Sequence, residues 1–170
     1  IGFKIIDAIN AHFKLSKQKP KFKGLLTTGN IESKKIYAIK PLTFMNNSGT
    51  AIKELIDYFK IDAKDVFVFH DDMDIDFGKV KAKFGGGSAG HNGIESIDKF
   101  IGKDYSRVRI GIGHPKERRK VNSHVLEDFK EDEETKIQEI TENIVKLVPT
   151  LIEKKIDLFS SKVNKNLNGI

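Results

Sequence analysis

The spacing of hydrophobic positions changes several times along the chain, and each change marks an element. Over residues 2–14, Ile6, Ile9 and Phe13 fall on one face, which predicts an amphipathic helix. The next stretch, FKGLLTTGNIESKKIYAIKP, predicts two short strands around a polar turn at Thr28–Lys35, with Pro41 closing the second. Ile52, Leu55, Ile56 and Phe59 return to helical spacing. The unbroken run VFVFH, Val66 to His70, fits a strand buried on both faces, and KVKAKF alternates like a half-exposed one. Ile94, Ile97 and Ile101 predict a short helix closed by Gly102. Tyr105 to Gly113 alternates again, with Val108, Ile110 and Ile112 on one face and Arg107 and Arg109 on the other. Ile137, Ile140, Ile144, Leu147 and Leu151 mark a C-terminal helix that Pro149 should kink or split. The polar tail SKVNKNLNGI, residues 161–170, is expected to fray.

Interleaved helices and strands place the chain in the α/β class. The expectation is a single domain over residues 1–170, built on one mixed, mostly parallel twisted sheet flanked by helices. A chain of 170 residues is long enough to bury one core.

Composition narrows the chemistry. With no cysteine, a disulfide framework and thiol metal sites are excluded. No apolar run approaches the ~20 residues that cross a bilayer and no secretory signal is visible, so a cytoplasmic location is expected. The net charge is +6 and unevenly spread: residues 1–40 hold nine lysines against Asp7 and Glu32, KERRK (Lys116 to Lys120) adds a second basic cluster, and Glu127 to Glu134 is acidic. Such a surface suits a polyanion, because each neutralised phosphate releases counterions, but it equally describes solvated lysines.

The stretch FGGGSAGHNG, Phe84 to Gly93, is the least ordinary part of the chain. Gly85, Gly87 and Gly90 satisfy G-x-G-x-x-G, yet the acidic residue that a dinucleotide site needs after the next strand is missing: Asp104 precedes that strand, which carries Arg107 and Arg109. A triphosphate loop fails too, since His91 and Asn92 stand where lysine and a hydroxyl are required. What remains is a loop that makes room for a bulky polymer end, with His91 and Asn92 as polar contacts. Asn92 with Glu95 also has the spacing of a helix capping box.

Four aspartates, Asp71, Asp72, Asp74 and Asp76, follow the buried strand. Ligands of open α/β sheets bind beyond strand carboxyl ends, so this place is informative. A calcium loop fails at Phe77 and at Lys83, its twelfth position. A looser magnesium site has no further support. Asp71, first past the strand, is the best-fixed candidate for a carboxylate that orients an imidazole. Asp72 and Asp76 fit a solvated turn, and Asp74 lies between the two readings.

KPLTFMNNSG (Lys40 to Gly49), HDDMDI, KVKAKFGGGSAGHNG and RVRIGIGHP (Arg107 to Pro115) occur in order, and together they closely resemble the bacterial peptidyl-tRNA hydrolase family. The resemblance implies an esterase that frees tRNA from aborted peptides without metal or cofactor. The partner it implies is peptidyl-tRNA, held by its acceptor stem and 3′ end, with no DNA, no membrane and a monomeric enzyme. By the same resemblance Asn46 and Phe44 contact the substrate's acceptor end, Asp71 supports the catalytic histidine, and His91 and Asn92 bind substrate and position water. Lys81, Lys83 and Arg109 resemble the residues that clamp the tRNA 5′-phosphate, a role for which Lys and Arg are suited. In the family the catalytic histidine belongs to an upstream strand, a Gly-Asn-Pro-Gly-like loop and an Arg-His-Asn run. This sequence opens at IGF, the residues that follow that run. The expectation is therefore that the catalytic base lies outside the 170 residues and that the natural protein carries it, because the upstream strand would be central to the sheet. A non-catalytic tRNA- or ribosome-binding module is the alternative reading.

Overall fold

The computed structural model describes residues 1–115 and 121–167. KERRK lies outside the described residues, as do 168–170. In chain order the elements are α1 (Gly2–His12), β1 (Lys19–Lys21), β2 (Gly24–Ile31), β3 (Lys34–Pro41), α2 (Ser48–Phe59), β4 (Phe67–Asp72), β5 (Val80–Phe84), α3 (Asn92–Ile101), β6 (Ser106–Gly111), α4 (Val121–Leu126), α5 (Glu131–Ile152) and α6 (Ile156–Leu167).

The strands form two three-stranded sheets, β1-β2-β3 and β4-β6-β5, and the expectation of a mostly parallel sheet does not hold. The first sheet is antiparallel throughout; in the second, β4 runs parallel to β6 and β5 antiparallel to it. The reason is local. The connection between β2 and β3 is only Glu32–Ser33, both at positive φ, a two-residue turn that leaves antiparallel pairing as the sole outcome. The polar stretch Thr28–Lys35 is thus mostly strand, with Thr28 paired to Tyr37 and Asn30 to Lys35.

One core lies between α1, the β5–β6 face and helices α5 and α6, around Ile5, Val80, Val108, Ile110, Ile140 and Phe159. A smaller one joins β2, α2 and α3 through Leu26, Ile52, Leu55 and Ile97, with Tyr105 beneath. Helix α5 continues through Pro149 to Ile152 and is not split; the proline stands in its final turn, where its missing N–H costs one bond near the end.

The tail is a second correction. Residues 161–167 belong to α6, which buries Phe159 and Val163 completely. Its polar residues, the cause of the expected fraying, close the outer edge of β5. Asn164 accepts from Val80 N–H (3.1 Å) and donates to Val80 O (2.7 Å), and Ala82 N–H donates to Ser160 Oγ (2.7 Å). Side chains satisfy backbone groups that an open edge would leave to water.

Candidate functional site

The carboxyl end of β4 and the start of α3 meet at one point. His91 is the N-cap of α3: its Nδ1 accepts from Gly93 N–H (3.1 Å) and Ile94 N–H (3.3 Å). The N-cap is therefore one residue before the Asn92 of the expected Asn92–Glu95 capping box, because the His91 ring nitrogen satisfies the orphan donors instead. Asn92 is left exposed in the first turn of the helix.

This cap fixes the tautomer. With Nδ1 unprotonated, the proton is on Nε2, which donates to Asp71 Oδ1 at 3.2 Å. Burial pushes the Asp71 carboxyl upward, but the hydrogen bond from His91, together with the polar groups around it, outweighs that, and it lies below the usual carboxylate value. Asp71 stays ionised. Its other oxygen takes no hydrogen bond from another described residue. Both nitrogens of His91 are thus committed, so its ring orients a neighbour and has no free lone pair with which to take a proton.

His70, read from sequence only as the end of a strand, is part of the same cluster. It is 7% exposed, and its ring packs edge-on against His91 at 5.0 Å. Nδ1–H donates to the Asp71 carbonyl (2.8 Å), while Nε2 is buried without a partner among the described residues. Burial, with the nearby His91 adding to it, brings the ring down to about 4. It is neutral at physiological pH.

The loop Met45–Asn47 packs against the α3 terminus. Gly93 makes the packing tight there: a Cβ would stand 2.6 Å from Met45 Sδ, which would have to move aside, and 3.0 Å from the His91 ring. Asn46 is exposed beside this contact, and Phe44 is 88% exposed, an unusual placement for a large ring.

The predicted cations share one face of the second sheet. Lys81 lies opposite Arg109, and Lys83 opposite Arg107. Lys81 and Lys83 are exposed. Arg109 is committed: its Nε donates to Asp72 Oδ2 at 2.7 Å, and the Asp72 side chain is only 4% exposed. Asp72 is thus a buried ion-pair partner and not a solvated turn residue. Asp76 is exposed as expected, and Asp74 pairs with His114 at the surface (2.9 Å). Among the described residues no group of three or more His, Cys, Asp and Glu is arranged to hold a metal ion, and no helix is long and apolar enough to cross a membrane.

Behind His70, Asp71 and His91 opens a cavity of about 900 Å³, mostly apolar, bounded by β3 (Ile36, Ile39) and β4 (Phe67, Phe69). Both strands are terminal in their sheets among the described residues, so each turns an unpaired edge.

The sequence reading missed His70, the Asp72–Arg109 pair and Met45. The alternation along β4 puts His70 on the face of Val68 rather than Phe69, and only the parallel pairing of His70 with Arg109 reveals what that face holds.

Comparison with known proteins gives one consistent result. The family model described as peptidyl-tRNA hydrolase matches residues 1–169. A peptidyl-tRNA hydrolase of Pelagibacter ubique is 73% identical over 164 residues, spanning 96% of this chain and 88% of the relative. One from Ehrlichia ruminantium is 43% identical over 163 residues, 96% of this chain and 83% of the relative. The crystal structure of peptidyl-tRNA hydrolase from Acinetobacter baumannii superposes with a TM-score of 0.89 at 29% identity, covering 95% of this chain and 83% of that one.

Proposed function

The chain belongs to the peptidyl-tRNA hydrolase family, and from that premise we propose that it hydrolyses the ester joining a peptide to the 3′ end of tRNA. It is an esterase, acting in the recycling of tRNA from aborted translation in the cytoplasm, and it works as a monomer on the acceptor stem and 3′ end. The observation that carries the site assignment is the Asp71–His91–α3 arrangement, an ionised carboxylate and a tautomer-fixed imidazole at the end of a parallel strand.

In this reading Asp71 orients a catalytic histidine through its second oxygen, and that histidine activates water against the ester carbonyl. His91, held by α3, keeps Asp71 in place. Asn92, in the first turn of α3, and Asn46, in the Met45–Asn47 loop packed against that turn, are both exposed; they bind the substrate and stabilise the developing oxyanion as uncharged donors. Phe44 offers its exposed ring to the terminal base, a stacking contact of about 1–3 kcal/mol. Lys81 and Lys83 hold the 5′-phosphate, with Arg109 contributing part of a charge already shared with Asp72.

The resemblance implies a base on an upstream Arg-His-Asn segment, and in this reading neither His91, with no free lone pair, nor buried His70 takes its place. Support for this comes from the cavity between the unpaired edges of β3 and β4, which has the apolar lining of a site for one more strand. Such a strand would join the two sheets and deliver its following loop to Asp71.

The test is hydrolysis of N-blocked aminoacyl-tRNA by the full-length protein, with unblocked aminoacyl-tRNA and Asp71→Asn alongside. Release from the blocked substrate only, falling by about 10²-fold or more in the variant, supports the assignment. Unimpaired turnover in Asp71→Asn refutes the role of Asp71. Binding of tRNA with no release would make the protein a binding module instead.

A further inference from the structure

The Gly85–Gly90 loop runs directly from Lys83 and Phe84 to His91, so its position decides how the cationic strand and the imidazole stand relative to each other. By itself it has little to hold it. Gly85, Gly86 and Gly90 have φ of +68°, +104° and +77°, and a Cβ built on Gly87 or Gly90 meets nothing within 4 Å. At its entry Gly85 N–H donates to Tyr105 O (2.8 Å), and at its exit His91 N–H donates to Ser88 O (3.0 Å). Between these, one side chain from outside the loop hydrogen-bonds to it among the described residues. Arg107 Nη1 donates to Gly87 O at 2.5 Å.

Arg107 is 2% exposed on a strand whose neighbours Val108 and Ile110 are fully buried. A guanidinium in that place is costly to desolvate, and apolar residues replacing the whole Arg107–Asp98 pair could fill the space with little loss of stability. What an apolar residue could not do is hold two acceptors at a fixed angle. Arg107 Nη2 donates to Asp98 Oδ1 (2.7 Å), Tyr105 O–H donates to the same oxygen (2.8 Å), and the guanidinium lies 4.8 Å from the Tyr105 ring centroid. Asp98 is on α3, the helix that His91 caps. One planar fork therefore ties the middle of the loop to the helix that presents His91.

We propose that Arg107, charge-paired to Asp98, is a positioning residue that fixes the Gly85–Gly90 loop against α3 and so sets the spacing between Lys83, where the tRNA is held, and the Asp71–His91 pair. The proposal rests on the esterase reading above. A shift of the loop moves a substrate gripped at Lys83 relative to the reacting carbon, and misplacement on the scale of 1 Å costs about 10²-fold in rate.

The experiment compares wild type, Arg107→Lys and Asp98→Asn by amide hydrogen exchange, thermal melting and steady-state hydrolysis of N-blocked aminoacyl-tRNA. Lysine keeps the charge opposite Asp98 but lacks the rigid two-donor fork; Asp98→Asn keeps the fork and an acceptor, and serves if the lysine variant does not fold. The expected result is exchange at Gly85 and His91, the hydrogen-bonded amides at the two ends of the loop, accelerated about tenfold or more with the core strands still protected. With it, kcat falls about tenfold or more while affinity for tRNA carrying no ester changes less than threefold. Exchange at those amides unchanged in a folded variant would overturn the proposal, as would a loss of kcat that follows the loss of protection throughout the core. Absence of hydrolysis by wild type would instead refute the esterase reading, while the exchange rates would still decide whether Arg107 holds the loop.

Discussion

Buried neutral histidines make a fold acid-sensitive in a window that can be read from the structure, and His70 offers a clean case. In the unfolded chain its imidazole titrates near 6.5; in the fold, burial and the adjacent His91 lower it to about 4. Below 6.5 the unfolded chain therefore takes up a proton that the native state refuses. Stability is fully present above 6.5, declines as pH falls, and levels off once the folded-state value has been crossed. The whole displacement corresponds to on the order of 3 kcal/mol, and the part between pH 7 and pH 5 to about 2 kcal/mol. Against a typical domain stability of about 5–15 kcal/mol that is a large fraction. Asp71 acts separately: its carboxyl lies below the ordinary carboxylate value, so the stability it contributes is lost only at still lower pH. The perturbation is His70→Asn, whose amide N–H can still donate to the Asp71 carbonyl but which does not titrate. Urea unfolding at pH 7, 6 and 5 gives the free energy of each protein, and comparing each with itself across pH removes the offset from the smaller side chain. Wild type should lose about 2 kcal/mol more than the variant between pH 7 and 5. Equal losses in the two proteins would refute the assignment of a neutral buried ring.

The cationic face separates two exposed lysines, proposed to grip phosphate, from an arginine that is already paired. Lys83→Ala should reduce the slope of log affinity for tRNA against log salt by about 1, and a slope unchanged in both Lys83→Ala and Lys81→Ala would remove the clamp from that face. Arg109→Ala should behave differently, because it strands the buried Asp72 carboxylate: a loss of about 2–3 kcal/mol in urea unfolding is expected, recovered in part when Asp72→Asn is added. A double variant no more stable than Arg109→Ala alone would show that the pair contributes little.

The sequence carries the elements and the family, and it misplaces what depends on pairing across the chain. Hydrophobic period locates α2, α3 and β6, whose apolar residues fall on one definable face, and an unbroken apolar run locates β4. It cannot give strand direction, which depends on the two left-handed residues Glu32 and Ser33 closing a tight hairpin. It misjudges α6 for a related reason. Asn164 looks like a solvent-facing residue of a loose tail until β5 supplies the unpaired backbone groups that it and the preceding Ser160 satisfy. Polarity in a sequence marks a group that needs a partner, and water is only one of the partners available.

The same principle explains why sequence sorts the aspartates only in part. Asp71 and Asp72 are adjacent, and a strand sends adjacent side chains to opposite faces. Asp72 is turned to the face of His70 and Arg109, where register places a guanidinium within reach and the carboxylate is neutralised. Asp71 meets an imidazole whose other nitrogen already closes a helix, so it keeps its charge and one oxygen for a further partner. Two residues of one type differ here through strand parity and through what the facing element has left unpaired. Neither quantity is visible in a run of four aspartates, yet both are implicit once β4 is set parallel to β6. Exchanging the two environments, by moving the strand one residue in register, would turn the Asp71 carboxylate inward and expose that of Asp72. The site is thus defined by a register, and the chemistry of Asp71 depends on the β4–β6 pairing as much as on its own carboxyl group.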